Sequence, residues 1–149
     1  MLKIESHPVN AWPPSTIDRV YNTLSLKKGS QIKHIIDLYC DADLAKDEMC
    51  ELIIVTWWGV AIAAATLIEL DKNYQFVPTT HDESNKKCNL NIFVKKSWRR
   101  KGIGSMVVDF AKIITRHHGC TALVVSSWST HAKKFYDAVG VDKTDEVLL

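Results

Sequence analysis

The sequence predicts one α/β domain on a mixed sheet, with an antiparallel amino-terminal hairpin joined to a parallel βαβ unit. Three observations carry this. The length, 149 residues, suits one domain spanning 1–149 rather than two. Two β-rich apolar runs, Leu52 to Thr56 and Val60 to Leu70, are broken only around Trp58-Gly59, the pattern of a hairpin. Residues 88 to 126 then read as strand, basic glycine-containing loop, helix and strand, and two strands bridged by a helix form a parallel crossover.

Taken in order, Lys3 to Ser6 predicts a short first strand. After Pro13-Pro14, Ser15 stands where a cap would, with Asp18 three residues on, and Ile17, Val20, Tyr21 and Leu24 follow at helical spacing towards a stop at Gly29. Ser30 predicts the cap of a second helix with Ile32, Ile35, Ile36 and Tyr39 on one face. Residues 41–51 hold five acids, but a calcium loop would need glycine at Lys46 and glutamate at Leu52, so they read as a solvated connection. Leu52 to Ile68 is 17 residues without a charge, near the lower limit for crossing a bilayer. Trp57-Trp58-Gly59 interrupts it and Glu51, Glu69 and Asp71 crowd its ends, which favours a buried hairpin and no membrane.

Residues 71–87 form a polar loop. Cys88 to Val94 alternates, with Leu90, Ile92 and Val94 on one face and Asn89, Asn91 and Phe93 on the other. Beyond Gly102, the residues Ile103, Met106, Val107, Phe110, Ala111 and Ile114 keep a helical stripe as far as Gly119. Thr121 to Ser126 is a β-branched strand, Ser129 caps a last helix carrying Phe135 and Tyr136, and Val147-Leu148-Leu149 adds a short strand.

With 46% hydrophobic and 24% charged residues, the composition excludes disordered and collagen-like chains. The net charge of +2 conceals its distribution. Lys95, Lys96, Arg99, Arg100 and Lys101 place five positive charges in seven residues, which leaves 14 basic against 17 acidic residues elsewhere. The four cysteines include no C-x-x-C pair and no zinc-like histidine spacing, so they read as reduced thiols of a cytoplasmic protein with no metal site. The amino terminus has no secretory pattern.

The chemistry concentrates in Arg99-Arg100-Lys101-Gly102-Ile103-Gly104-Ser105. Its glycines permit close backbone approach, the first helical N–H groups point outward, and the dipole adds positive potential, so the loop is a phosphate or pyrophosphate cradle neutralised by Arg99, Arg100 and Lys101. A Walker A loop would need a lysine between Gly104 and Ser105. A dinucleotide fingerprint would need a small residue at Val107 and an acid about 20 residues on, where none stands.

The run from Val94 to Gly104 resembles the acyl-CoA binding signature of the GNAT superfamily of N-acyltransferases, Arg/Gln-x-x-Gly-x-Gly/Ala placed after a strand-end valine. A second stretch, Ser129-x-x-Ala132-x-x-Phe135-Tyr136-x-x-x-Gly140-Val141, is similar to the family's motif on the helix after the next strand. The resemblance is close over 88–141 and topological over 15–70. It implies a GNAT fold whose strands at 88–94 and 121–126 splay around acetyl-CoA, the acyl donor. It also implies that the backbone of Phe93 and Val94 pairs with the pantetheine, that N–H groups from Arg99 to Ser105 hold the pyrophosphate, that Ser129 touches CoA or caps its helix, and that Tyr136 serves the leaving thiolate.

General chemistry sharpens these roles. A lysine-like amine of pKa about 10.4 is neutral roughly four times in ten thousand at pH 7, a cost of about 4.6 kcal/mol that a base, water chain or apolar pocket must offset. A thiolate leaving group of pKa near 8.5 needs a hydrogen bond more than a full proton from a tyrosine near 10. The strand Cys88-Asn89-Leu90-Asn91 lacks the glutamate base some relatives carry, leaving Glu69, or His81, Asp82 and Glu83, as substitutes. The family usually ends in two more strands that wall the acceptor site, and only nine residues follow Gly140, so the resemblance implies shortened carboxyl-terminal strands and an acceptor side left open or completed by a second copy in a homodimer. The predicted activity is acetyl transfer to a primary amine by direct attack in a ternary complex. The alternative is a catalytically degenerate module of the same fold, binding nucleic acid or a partner protein through its basic loop.

Overall fold

The computed structural model describes residues 1–26, 30–40, 50–70, 87–125 and 146–148. Their strands are β1 (Leu2–Pro8), β2 (Cys50–Trp57), β3 (Val60–Leu70), β4 (Lys87–Val94), β5 (Ala122–Val125) and β6 (Glu146–Leu148), and their helices are α1 (Pro14–Thr23), α2 (Gln31–Tyr39) and α3 (Ile103–His117). The strands lie in chain order in one sheet. Every neighbouring pair is antiparallel except β4 and β5. Among the described residues no helix is long and apolar enough to cross a membrane.

Alternation along the strands divides the core into two layers. Ile53, Val55, Ala63, Ala65, Leu67, Cys88 and Leu90 pack beneath Ile103, Val107, Val108 and Ala111 of α3. On the other face, Leu52, Ile54, Ala64 and Ile68 meet Val20 and Leu24 from the α1 side and Ile32, Ile35 and Ile36 of α2. Alanines at 63–65 keep the centre of the sheet thin on both faces, and all three are fully buried. That burial settles a segment whose composition alone could favour helix. The β2–β3 turn is made by Trp58 (φ 51°) and Gly59 (φ 80°), the two successive positive values of a type I′ hairpin.

The helix boundaries both agree with and correct the sequence reading. Ser30 caps α2, its Oγ accepting from the Lys33 N–H at 3.3 Å. Ser15 does not cap α1. Pro13 is the cap and Pro14 the first helical residue, because the fixed φ of proline suits a position whose N–H is unpaired anyway. The same helix stops at Thr23, short of Gly29, which lies outside the described residues. Ser25 turns left-handed (φ 53°), and the N–H groups of Ser25 and Leu26 donate to Asn22 O (3.3 Å) and Tyr21 O (3.0 Å). This is a Schellman closure with serine where glycine is usual.

α1 and α2 are tied by a polar triad. The Tyr21 hydroxyl donates to Asp37 Oδ1 at 2.5 Å, and Lys33 Nζ reaches Asp37 Oδ2 at 2.8 Å. Burial acts to raise the Asp37 carboxyl, but the bonds from Lys33 and Tyr21 outweigh it and hold the group below its ordinary 3.8. Burial, then Asp37, pushes the Tyr21 phenol well up. A depressed carboxylate stabilises above its unfolded pKa and loses that contribution as pH falls through its folded one. Asp37 is half exposed, so Asp37→Asn is expected to cost only about 0.5 kcal/mol at pH 7. In urea denaturation series, the gap between the two proteins should persist down to pH 4 and close below it.

Candidate functional site

β4 runs beside β3 over its whole length, from Lys87↔Leu70 to Val94↔Ala63. It pairs with β5 only from Lys87↔Ala122 to Leu90↔Val125. Among the described residues β4 pairs with β5 no further than Leu90, and the stretch of β4 beyond that pair, on its β5 side, is referred to as the fork. The Lys95 N–H donates to Ile62 O at 2.8 Å, towards β3. By strand alternation the backbone groups of Phe93 also face β3, while those of Ile92 and Val94 face the fork. Of the expected pair, Val94 therefore lines the fork with its main chain. Phe93 contributes its side chain, packed on the α1–α2 face. The sequence reading did not name Ile92, whose main-chain direction follows only from the Lys95–Ile62 bond.

Beyond Val94 comes one 3₁₀ turn, Lys96–Trp98, with Lys96 and Ser97 exposed and Trp98 half-buried, and then the basic loop. Arg99 folds back, its Nε donating to Val94 O at 2.9 Å and its guanidinium standing 5.6 Å from the Phe93 ring centroid. Lys101 Nζ lies 5.2 Å from the Trp98 ring centroid, and Trp98 meets Trp57 at 5.5 Å between centroids. Arg100 (φ 63°) and Gly102 (φ 83°) are both left-handed. A Cβ on Gly102 would meet nothing within 4 Å, so backbone conformation rather than space favours glycine there.

Gly102 is the cap of α3 and no side chain bonds to the first turn. The Met106 N–H donates to Gly102 O at 3.1 Å, so the N–H groups of Ile103, Gly104 and Ser105 precede the first intrahelical bond. Ile103 and Gly104 are buried and Ser105 is exposed. Three such donors, a helix dipole and the Arg99–Lys101 charges fit a pyrophosphate. The open edge of β4 beside them fits a chain bearing amides, as pantetheine does.

Other expected site residues fall elsewhere. Glu69 pairs with Cys88, six register positions from the Ala63↔Val94 pair, about 20 Å along the strand. It lies near the far end of α3, 2% exposed, with Oε1 3.8 Å from His118 Nδ1, while His118 Nε2 lies 3.8 Å from Glu51 Oε1. The structure thus does not bring Glu69 to the loop, because strand pairing separates residues that the sequence merely orders. Tyr136 and Ser129, with His81, Asp82 and Glu83, lie outside the described residues. The thiols of Cys88 and Cys120 are buried with their sulfurs 3.0 Å apart. The hydrogen bond with Cys120, with burial, pushes the Cys88 thiol far up, so it is a poor nucleophile. Among the described residues no group of three or more His, Cys, Asp or Glu side chains could hold a metal ion.

On the α1–α2 side of the fork a cleft of about 840 Å³ lies between the Thr23–Leu26 turn with Ser30 and the end of β4, where Phe93 and the Lys95–Ser97 segment line it.

The whole chain is similar to solved structures of acetyltransferases. The aminoglycoside N-acetyltransferase AAC(6')-Iy, solved with a CoA-acetylneamine bisubstrate analogue, matches with TM-score 0.68 at 19% identity, over 100% of this chain and 96% of that one. A protein from Clostridium acetobutylicum described as a predicted acetyltransferase, solved with acetyl-CoA, matches with TM-score 0.67 at 16% identity, covering 100% and 95%. Glucosamine-6-phosphate N-acetyltransferase from Arabidopsis thaliana matches with TM-score 0.60 at 16% identity, covering 100% and 96%. At these identities the likeness establishes the shared fold. No curated protein sequence matches significantly. The family model described as acetyltransferase (GNAT) matches residues 17–141, which takes in the hairpin, the fork, the glycine-capped helix and the second motif alike, and the chain therefore belongs to the GNAT acetyltransferase family.

Proposed function

We propose that the protein is an acetyl-CoA-dependent N-acetyltransferase of the cytoplasm, acting on a primary amine by direct attack in a ternary complex. The observation that carries this is the glycine-capped start of α3, whose first three N–H groups precede any intrahelical bond and follow a cationic loop at the end of β4. Acetyl-CoA supplies an activated thioester carbonyl. The chain's own groups bind and orient it, with Ile92 and Val94 offering main-chain partners, the N–H groups of Ile103, Gly104 and Ser105 receiving phosphate oxygens, and Arg100 and Lys101 adding positive charge. Tyr136 hydrogen-bonds the departing thiolate in this reading, on the strength of its motif. Glu69 stands six register positions from the Ala63↔Val94 pair and is given no role in this reading. The amine must lose its proton to water or to a residue outside the described segments.

Millimolar acetyl-CoA is expected to raise the melting temperature, since a ligand at 100 times its Kd adds about 2.7 kcal/mol. Thiol release should depend on an added amine. Absence of any CoA-dependent stabilisation overturns the proposal. One observation favours the alternative module: Trp58 is 71% and Trp57 41% exposed beside the basic loop, a surface on which bases could stack. That reading requires RNA or DNA binding that weakens steeply with salt and ignores CoA.

A further inference from the structure

We propose that Cys88 and Cys120 form a dithiol site oxidised by peroxide, whose product is an intrachain disulfide that staples the start of β4 to the segment entering β5. Neither thiol takes part in acetyl transfer as read above, so the inference stands apart from that reading.

Two separate elements deliver the sulfurs to one point. By strand alternation Cys88 shares the α3 face of β4 with Leu90. Cys120 is delivered by the turn that ends α3. Gly119 is left-handed (φ 76°), its N–H donates to Arg116 O at 2.9 Å, and the Cys120 N–H donates to Thr115 O at 3.1 Å. This Schellman closure folds residue 120 back under the helix, into the same core layer as Cys88. The Cys88 thiol donates to Cys120 Sγ across 3.0 Å, so the sulfurs need to approach by only about 1 Å to bond. The other two cysteines lie apart, Cys50 in the layer on the opposite face of the sheet and Cys40 exposed after α2.

Their surroundings set the order of steps. Cys120 stands between the exposed Gly119 and Thr121, so a local opening of that turn admits a small oxidant, whereas Cys88 is fully enclosed. The Cys120 sulfur attacks one oxygen of hydrogen peroxide, the O–O bond breaks, and the thiol proton leaves with the departing hydroxide as water. Cys120 is then a sulfenic acid. The Cys88 sulfur displaces its hydroxyl, forming the S–S bond as the S–O bond breaks, and the Cys88 proton leaves with that hydroxyl as a second water. The two thiols lose two electrons and the peroxide gains them. The hydrogen bond with Cys120, then burial, keeps Cys88 protonated, which suits it to the second step, where its proton has an acceptor and its partner is already in contact. The bridge lies at the Lys87 end of the β4–β5 pairing and leaves the stretch beyond Leu90 untouched.

Peroxide treatment of the intact protein, followed by alkylation with N-ethylmaleimide and peptide mapping by mass spectrometry, tests this. A peptide pair joined through Cys88 and Cys120 should be the main intrachain product, lighter by two hydrogens and restored by dithiothreitol. Joining cysteines 32 positions apart should raise the melting temperature by about 10 °C. Cys40→Ser should keep that rise and Cys120→Ala should abolish it. In concentrated urea the same treatment should scatter the links among all four cysteines. The mapping is done on the natural sequence, so it decides even where Cys120→Ala fails to fold. Absence of the joined pair from the folded protein, its formation to the same extent in urea, or a joined protein that melts no higher than the reduced one overturns the proposal. So does accumulation of Cys120 as a sulfinic acid with Cys88 still open to alkylation.

Discussion

Tyr136→Phe is expected to lower kcat about 100-fold while leaving the Kd of CoA within threefold. The phenol is assigned to the sulfur by its place in the second motif, Ala132-x-x-Phe135-Tyr136, and the expected size follows from the chemistry. Negative charge develops on sulfur only as the carbon–sulfur bond breaks, so a donor aimed there acts on the transition state and hardly on the bound ground state. Losing one such donor costs about 10²–10³ in kcat, or about 2.7–4 kcal/mol. The lower end applies, because a thiolate near pKa 8.5 is a better leaving group than an alkoxide and needs less assistance. Single-turnover kinetics checks this. Unchanged turnover in the phenylalanine variant would remove the thiolate role, and a parallel loss of CoA binding would make Tyr136 part of the donor pocket.

The largest stability effect is expected at Leu90. Its side chain is fully buried beneath α3, among the residues that join the helix to the sheet. Its backbone makes the last β4–β5 pair before the fork. Leu90→Ala removes packing that neighbouring strands cannot close around without breaking register, so the cost should lie in the upper part of the observed range, about 3–5 kcal/mol. For a chain of this length that lowers the melting temperature by about 10 °C. A cost below 1 kcal/mol would mean that the layer under α3 collapses freely. Leu90→Met, which conserves volume, should cost less than about 1.5 kcal/mol.

Much of this architecture was legible in the residues. Alternation from Cys88 to Val94, the stripe from Ile103 to Ile114 and the two glycines before it located β4, α3 and the cradle, because local patterning and the needs of an anion coincide there. The places where the reading failed share another property. Ser15 looked like a cap because its side chain suits one, yet two prolines had already fixed the entry one step earlier. Glu69 was offered as a substitute base on its place in the hairpin, and only the register of β3 on β4 shows that it pairs with Cys88, six positions from Val94. Phe93 and Val94 were read as a pair, whereas main-chain direction alternates and gives the fork to Ile92 and Val94. The left-handed turn at Ser25 had no glycine to announce it. Cap choice, register and backbone handedness are settled by neighbours in space, which a linear pattern does not record.

The sheet is also unevenly bonded. Among the described residues β4 has eight paired positions with β3 and four with β5, so the described sheet is two leaves joined along the Lys87–Leu90 seam. Amides of β5 and β6 across that seam are expected to exchange with solvent more readily than those of β3. A ligand lying in the fork couples both leaves into one cooperative unit. Donor binding would then be recorded as slowed amide exchange well beyond the atoms it touches, as far as the carboxyl-terminal edge of the sheet.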